Sequence, residues 1–192
     1  MIRIYSQKKV LSLIREISPL IGKLREEYGV PEACVRAVLY REMKEIDLLD
    51  AAADTSVRFG LFGKKDSSTG YAQIFSYTAI RALDFAEEHG IETAERLGIA
   101  RPLSESEPAD IRRIWLRLNG DREFNVRMGG LNLLSCAWEV AESTDFSSFG
   151  PDELQRIFSR YNARTVSITS YGREVYGYYL RFTESPDATE LR

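Results

Sequence analysis

Few of the side chains on which enzyme chemistry is commonly built are present. The chain has one histidine, His89, and two cysteines, Cys34 and Cys136, against 29 acidic residues. A zinc site built from cysteine and histidine takes about four such ligands, so the stock excludes that class. A serine or cysteine triad would have His89 as its only imidazole. Chemistry therefore falls to carboxylates and tyrosines. Among the acids, Glu42 stands out. Positions 35, 38, 39, 42, 46 and 49 recur at helical spacing, and all but position 42 are apolar (Val35, Val38, Leu39, Ile46, Leu49). A carboxylate on such a stripe loses hydration, which favours its neutral form. A general acid needs that preparation: a proton retained near neutral pH and ready for a leaving group. The plainer reading is a glutamate near a helix end, paired with Arg41 or another arginine.

Two other places carry polar groups in telling settings. In Ser67-Ser68-Thr69-Gly70-Tyr71-Ala72-Gln73-Ile74, Gly70 permits a positive φ or a backbone close to a ligand. Gln73 offers both donor and acceptor to an amide or hydroxyl. Taken alone, the segment reads as a turn entering the next helix. Tyr161 lies on the apolar stripe of a later helix, where its hydroxyl needs a partner. Asn162, beside it, is placed to serve as a C-cap.

Helices must position these groups, because apolar spacing predicts helix almost throughout. Val10, Leu13, Ile14 and Ile17 follow a cap at Ser6, and Pro19 restarts a short helix to Tyr28. Pro31 opens the long helix that carries Glu42. Ser76 caps a helix through Ile80, Leu83 and Ala86, and Pro108 opens another through Ile111, Ile114, Trp115 and Leu118. Residues 122–142 form an apolar helix around Leu131, Leu134 and Trp138. Gly150-Pro151-Asp152-Glu153 starts the helix of Tyr161, with acids placed against its dipole, and a last helix runs from Tyr171 to Phe182. Residues 52–75, rich in Gly, Ser, Lys and Asp, lack this rhythm and are expected as a long loop or small β-like excursion. Arg112, Arg113, Arg117, Arg122 and Arg127 fall on exposed helical faces and are expected to be solvated. Cys34 and Cys136 sit in apolar helical contexts and are expected as buried free thiols. The fold class is mostly α.

The order of these elements resembles the lytic transglycosylase and goose-type lysozyme group, glycoside hydrolase family 23. The matching pieces are Val38-Leu39-Tyr40-Arg41-Glu42, Ser68-Thr69-Gly70-Tyr71-Ala72-Gln73-Ile74, Ser159-Arg160-Tyr161-Asn162-Ala163 and Tyr171-Gly172-Arg173-Glu174-Val175. The segment Phe124-Asn125-Val126 through Leu134 sits where the family has a helix. Departures are Met43 in place of serine, Arg164 in place of glycine, Phe75 in place of the goose-type aspartate, and a longer stretch between Glu42 and Gly70. The resemblance implies one lysozyme-like multi-helix domain over residues 1–182, in which helices within 1–29 pack on a core of residues 30–182, with a frayed tail at 183–192. It also implies a muramidase that cuts the β-1,4 bond between N-acetylmuramic acid and N-acetylglucosamine in peptidoglycan. Glu42 would be its general acid and then its base, with no metal or other cofactor required. Ser68, Gly70 and Gln73 would bind substrate at the cleft floor, and Tyr161 and Asn162 would lie near the reacting sugar. Hydrolysis would call on a second carboxylate, with Asp66 and Asp54 the candidates. Otherwise the acetamido and 6-hydroxyl groups of the sugar close a 1,6-anhydro product, and Phe75 tilts the expectation that way.

Charge and chain ends bound the setting. The net charge of −3 and pI of about 5.4 fit a nucleic-acid binder poorly. Lys8, Lys9, Arg15 and Glu16 interrupt the apolar residues of the N-terminal stretch, which is not a secretory signal, and no apolar run reaches the roughly 18 residues of a membrane span. The expectation is a chain made in the cytoplasm that acts in the periplasm or cell wall, as a phage lysin or as an antibacterial effector toxin exported by a secretion apparatus. Its partners would be glycan strands, a secretion-apparatus component and, for an effector, a cognate immunity protein. The rival expectation is a non-catalytic lysozyme-like interaction domain.

Overall fold

Residues 3–60 and 65–186 are described by a computed structural model. They are mostly helical, as expected: α1 (Gln7–Glu16), α2 (Ser18–Tyr28), α3 (Glu32–Glu45), α4 (Leu48–Phe59), α5 (Ser76–Glu88), α6 (Pro108–Gly120), α7 (Arg122–Ala141), a short 3₁₀ turn (Phe146–Ser148), α8 (Pro151–Asn162) and α9 (Ser170–Glu184). None of the described helices is long and apolar enough to cross a membrane. Within the span expected as one domain, the chain clusters into two compact units: Met1–Ile4 with Ile46–Asn132, and Tyr5–Glu45 with Leu133–Arg192. The first half of α7 belongs to one unit and its second half to the other. Of the tail expected at 183–192, Thr183 and Glu184 complete the last turn of α9, and residues 187–192 lie outside the described residues.

Local chemistry sets most helix boundaries. Ser6 caps α1 by accepting from the Lys9 N–H at 3.3 Å. Pro19 lies in the first turn of α2, and Gly29, in the left-handed region, closes that helix. Pro31 stands just before α3, with its carbonyl accepting from the Cys34 and Val35 N–H groups.

Around residue 47 the structure departs from expectation. Helix α3 ends at Glu45, and Asp47 begins α4 with a reciprocal capping box. The Asp47 carboxylate accepts from the Leu49 and Asp50 N–H groups at 2.7 and 3.1 Å, while Asp50 accepts from the Asp47 N–H at 3.0 Å. The expected apolar stripe is thereby cut, and Leu49 is 71% exposed. The first part of the segment expected as loop is helix, residues 61–64 lie outside the described residues, and the remainder forms a tight turn in which Thr69 and Ile74 pair as an isolated antiparallel bridge.

In the Ile46–Asn132 unit, α5 packs against α6, burying Ile80, Leu83, Ile111, Ile114, Trp115 and Leu118. The arginines of this unit are engaged rather than merely solvated. Arg112 donates to the Val57 and Arg58 carbonyls at 3.0 Å each, closing the C-terminal turn of α4. Arg127 reaches Glu92 and Glu123, Arg113 reaches Asp110, and Arg117 and Arg122 lie over the rings of Phe124 and Tyr71.

In the Tyr5–Glu45 and Leu133–Arg192 unit, α9 is the central element, packed on both α3 and α8. Its core includes Val35, Leu39, Tyr40, Ile157, Phe158, Val175 and Phe182. Cys34 and Cys136 are buried free thiols, as expected, and burial pushes the Cys136 thiol up to about 12. Trp138 keeps 38% of its surface exposed, because so large a side chain is seldom covered on all sides.

The α8–α9 contact is close enough to test directly. A Cβ at Gly172 would lie 2.0 Å from the Ser159 Oγ and 2.3 Å from the Gln155 carbonyl oxygen, whereas one at Gly177 would meet nothing within 4 Å. Gly172→Ala is therefore expected to destabilise the chain by about 1–3 kcal/mol. Gly177→Ala, in open space on the same helix, is expected to be neutral or to stabilise by up to about 1 kcal/mol through helix propensity. Urea midpoints at unchanged m-value measure both.

Candidate functional site

The Tyr5–Glu45 and Leu133–Arg192 unit holds Glu42, Tyr161 and Asn162. Glu42 lies in the last turn of α3 and is partly exposed. The hydroxyl of Tyr171, the second residue of α9, donates to the Glu42 Oε1. The plainer reading of Glu42, an ion pair with Arg41, meets a competitor: the Arg41 Nε donates to Glu174 at 2.7 Å, and its guanidinium lies 5.2 Å from the centre of the Tyr171 ring. Lys44 also turns to α9, reaching Tyr178 at 2.7 Å and Glu174 at 3.4 Å. Burial, followed by the charge of Glu42, raises the hydroxyls of both Tyr161 and Tyr171 well above the ordinary tyrosine range. Both remain protonated donors across the physiological range. Asn162 is the exposed last residue of α8, and the C-cap position belongs instead to Ala163, whose N–H bonds the Ser159 carbonyl at 3.0 Å.

The Ile46–Asn132 unit holds Asp54, Asp66, Ser68, Gly70 and Gln73. Their turn is set by buried polar groups. The Asn125 side chain accepts from the Ala72 N–H at 2.9 Å and donates to the Thr69 carbonyl at 2.9 Å. Gly70 has φ +71°, and a Cβ there would sit 2.1 Å from the Asn125 Nδ2. The glycine is thus required both by backbone conformation and by the approach of Asn125. Gln73 adopts φ +43°, a costly conformation for a residue with a side chain. Its amide donates to the Gly70 carbonyl at 2.7 Å and accepts from the Ser68 hydroxyl at 3.3 Å.

The two candidate aspartates are the struts of this turn. Asp54 accepts from the Ser67 and Thr69 hydroxyls at 2.7 and 2.8 Å and from the Asn119 amide at 3.3 Å. The Trp115 indole donates to the same Ser67 hydroxyl at 3.0 Å. Asp66 accepts from the Ser76 N–H at 3.0 Å and the Ser76 hydroxyl at 2.9 Å, and from the Ser67 N–H at 3.0 Å. Ser76 was expected to cap α5. Phe75 instead occupies the cap position, and the Asp66 carboxylate supplies the acceptor at that helix start.

Comparison with known proteins finds no matching family model, no similar curated protein and no similar solved structure. The arrangement itself must carry the functional reading. In one unit it gathers Glu42 with Tyr161 and Tyr171, and Tyr171 donates to it; in the other it orders Ser68, Gly70 and Gln73 into one strained turn. Among the described residues, no group of three or more His, Cys, Asp or Glu is placed to hold a metal ion. The sequence reading named neither Tyr171 as the donor to Glu42 nor Asn125 as the clamp of the turn. Asn125 did carry a signal, as a polar residue between the apolar Phe124 and Val126 of a largely buried helix.

The strut role makes a pH prediction. Burial raises the Asp66 carboxyl above its ordinary value of 3.8, outweighing its bonds from Ser76, Tyr77 and Ser67. The folded chain therefore holds this proton more tightly than the unfolded chain does. The associated stability is fully present below pH 3.8 and is lost as pH rises through the elevated folded value. Denaturant unfolding at a series of pH values just above 3.8 should show this fall in the wild type, and Asp66→Asn should remove that component.

Proposed function

We propose that the chain is a peptidoglycan-degrading muramidase in which Glu42 is the single general acid and base. The observation that carries this reading is the hydrogen bond from Tyr171 to Glu42. Glu42 ends one of the four ordered motifs, Tyr161 centres another and Tyr171 heads a third, and all three fall in one compact unit. A hydroxyl that donates to a carboxylate oxygen orients the group. Glu42 would protonate the glycosidic oxygen as the bond to C1 of N-acetylmuramic acid breaks. The donors already gathered on Asp54 and Asp66 favour the route without a second carboxylate. In that route the acetamido oxygen of the sugar bonds C1. The Glu42 carboxylate then takes the proton of the 6-hydroxyl, whose oxygen displaces the acetamido oxygen at C1 and closes a 1,6-anhydro ring. Ser68 and Gln73 would bind the glycan, and Asn162 would lie near it. The substrate lies outside the cytoplasm, and we propose delivery as an antibacterial effector, countered by an immunity protein, or release during phage lysis.

Incubation with purified sacculi and mass analysis of the soluble muropeptides tests the reading. Wild type should release fragments with anhydro-muramyl ends, and Glu42→Gln should lower the rate by at least ~100-fold, the scale of a lost acid–base group. Tyr171→Phe removes a donor to the charged carboxylate. It should lower the rate by about tenfold and move the limb of the pH–rate profile governed by Glu42 to higher pH. No release by the wild type, or undiminished release by Glu42→Gln, would overturn the assignment. Reducing ends would instead return Asp54 and Asp66 to the mechanism, and their Asn variants would then distinguish them.

A further inference from the structure

A second feature of the Glu42 unit lies where the ends of three helices meet. A cavity of about 480 Å³ is lined by Arg25 of α2, Glu32 and Arg36 of α3, and Tyr179 and Phe182 of α9, with Pro31 at the entry to α3. That volume is in the range of small-molecule sites. Arg36 is only 4% exposed. Its Nη1 donates to the Ser18 hydroxyl at 3.1 Å and its Nη2 to the Glu32 Oε2 at 3.0 Å. Its Nε is the one buried side-chain polar atom among the described residues that has no hydrogen-bond partner.

The chemistry of that gap is specific. Nε and Nη2 share the edge of a guanidinium that a carboxylate grips with both oxygens. Glu32 grips this edge with one oxygen, because its Oε1 faces Arg25 at 3.7 Å. Two arginines against one glutamate leave the cavity one positive charge in surplus. Phe182, Tyr179 and Pro31 give the cavity apolar and aromatic wall, with the Thr183 hydroxyl turned to the Tyr179 carbonyl. A buried donor without an acceptor is costly, and a ligand oxygen that reached it would recover that cost.

We infer that this cavity binds a small carboxylate with an apolar body, its carboxylate drawn by the Arg25–Arg36 pair and its apolar part against Phe182 and Tyr179. The site is independent of the muramidase reading, since none of its residues belongs to the Glu42–Tyr171 contact. Calorimetric titration of the full chain with 3-phenylpropionate, and with its amide as the uncharged match, tests it. The acid should bind at millimolar concentration and the amide at least ten times more weakly. Arg25→Ala, at a side chain that is 70% exposed and so safe for folding, should weaken the acid several-fold. Arg36→Gln, checked for folding by circular dichroism, should abolish the preference for the acid. Equal binding of acid and amide, no binding of either, or full preference retained in folded Arg36→Gln would overturn the inference. So would binding that appears only after deletion of residues 187–192, which would make the end of the chain the occupant. Muropeptide release should be unaffected by Arg25→Ala, so this site and the proposed activity can fail separately.

Discussion

Helix α9 crosses α8 at Gly172 with no room for a methyl group, and the placement of Glu42's partner follows from that crossing. The Ser159 hydroxyl on α8 donates to the Gln155 carbonyl at 2.7 Å and accepts from the Thr169 N–H and hydroxyl at 2.9 and 3.1 Å. Thr169 is the N-cap of α9, so the start of that helix is fastened to α8 one turn from where its backbone touches it. Tyr171 lies between those two fixed points. A hydroxyl-to-carboxylate contact depends steeply on geometry, and here rigid backbone rather than a free side chain sets its origin. Helix α3 is held to the same reference by the Arg41 and Lys44 contacts to Glu174, one turn further along α9.

The turn at residues 66–76 reaches rigidity by another route. Besides the buried Ala72 and Ile74, polar groups fix it: Asp54, Asp66, Asn119, Asn125 and the Trp115 indole each bond its backbone or its hydroxyls. Such networks hold a single conformation only when each member is satisfied. The strained φ of Gln73 persists because the Thr69–Ile74 bridge and the Asn125 clamp fix the residues on both sides. The same bonds distinguish the acids of this unit from Glu42. Asp54 and Asp66 are surrounded by hydroxyl and backbone donors that belong to the turn, and moving either carboxylate towards a substrate would undo the turn itself.

Much of the helical order was legible in sequence, because caps and prolines act locally. Ser6, Pro19 and Pro108 mark starts by removing or satisfying first-turn donors, and the structure places helices behind each of them. The break at Asp47 was missed because two patterns overlap there. Ile46 and Leu49 continue the apolar period of α3, while Asp47 and Asp50 form a capping box that ends it. The box prevails because it satisfies backbone N–H groups, whereas extending the stripe would only have added apolar side chains. Gly70 was read for its permissive backbone, which the structure bears out with a positive φ, but the group approaching it is Asn125. Choices of distant partner, Asn125 for Gly70 and Tyr171 for Glu42, span more than fifty positions and leave no local periodic trace.

The charges around Glu42 have a further consequence. Arg41 and Lys44 flank it in sequence, and either could have paired with it and stabilised its ionised form strongly. Both instead turn to Glu174 on α9. Burial pushes the Glu174 carboxyl up, but the bonds from Tyr178 and Arg41 and the charges of Arg41 and Lys44 outweigh it and leave it below its ordinary range. Glu174 is therefore the ionised member that absorbs the cations of α3. Tyr171, a neutral donor, bonds Glu42. A neutral hydroxyl orients a carboxylate but stabilises its charge less than a guanidinium would. Such a partner suits the acid and base role proposed for Glu42, and α9 supplies both the hydroxyl and the competing glutamate from successive turns.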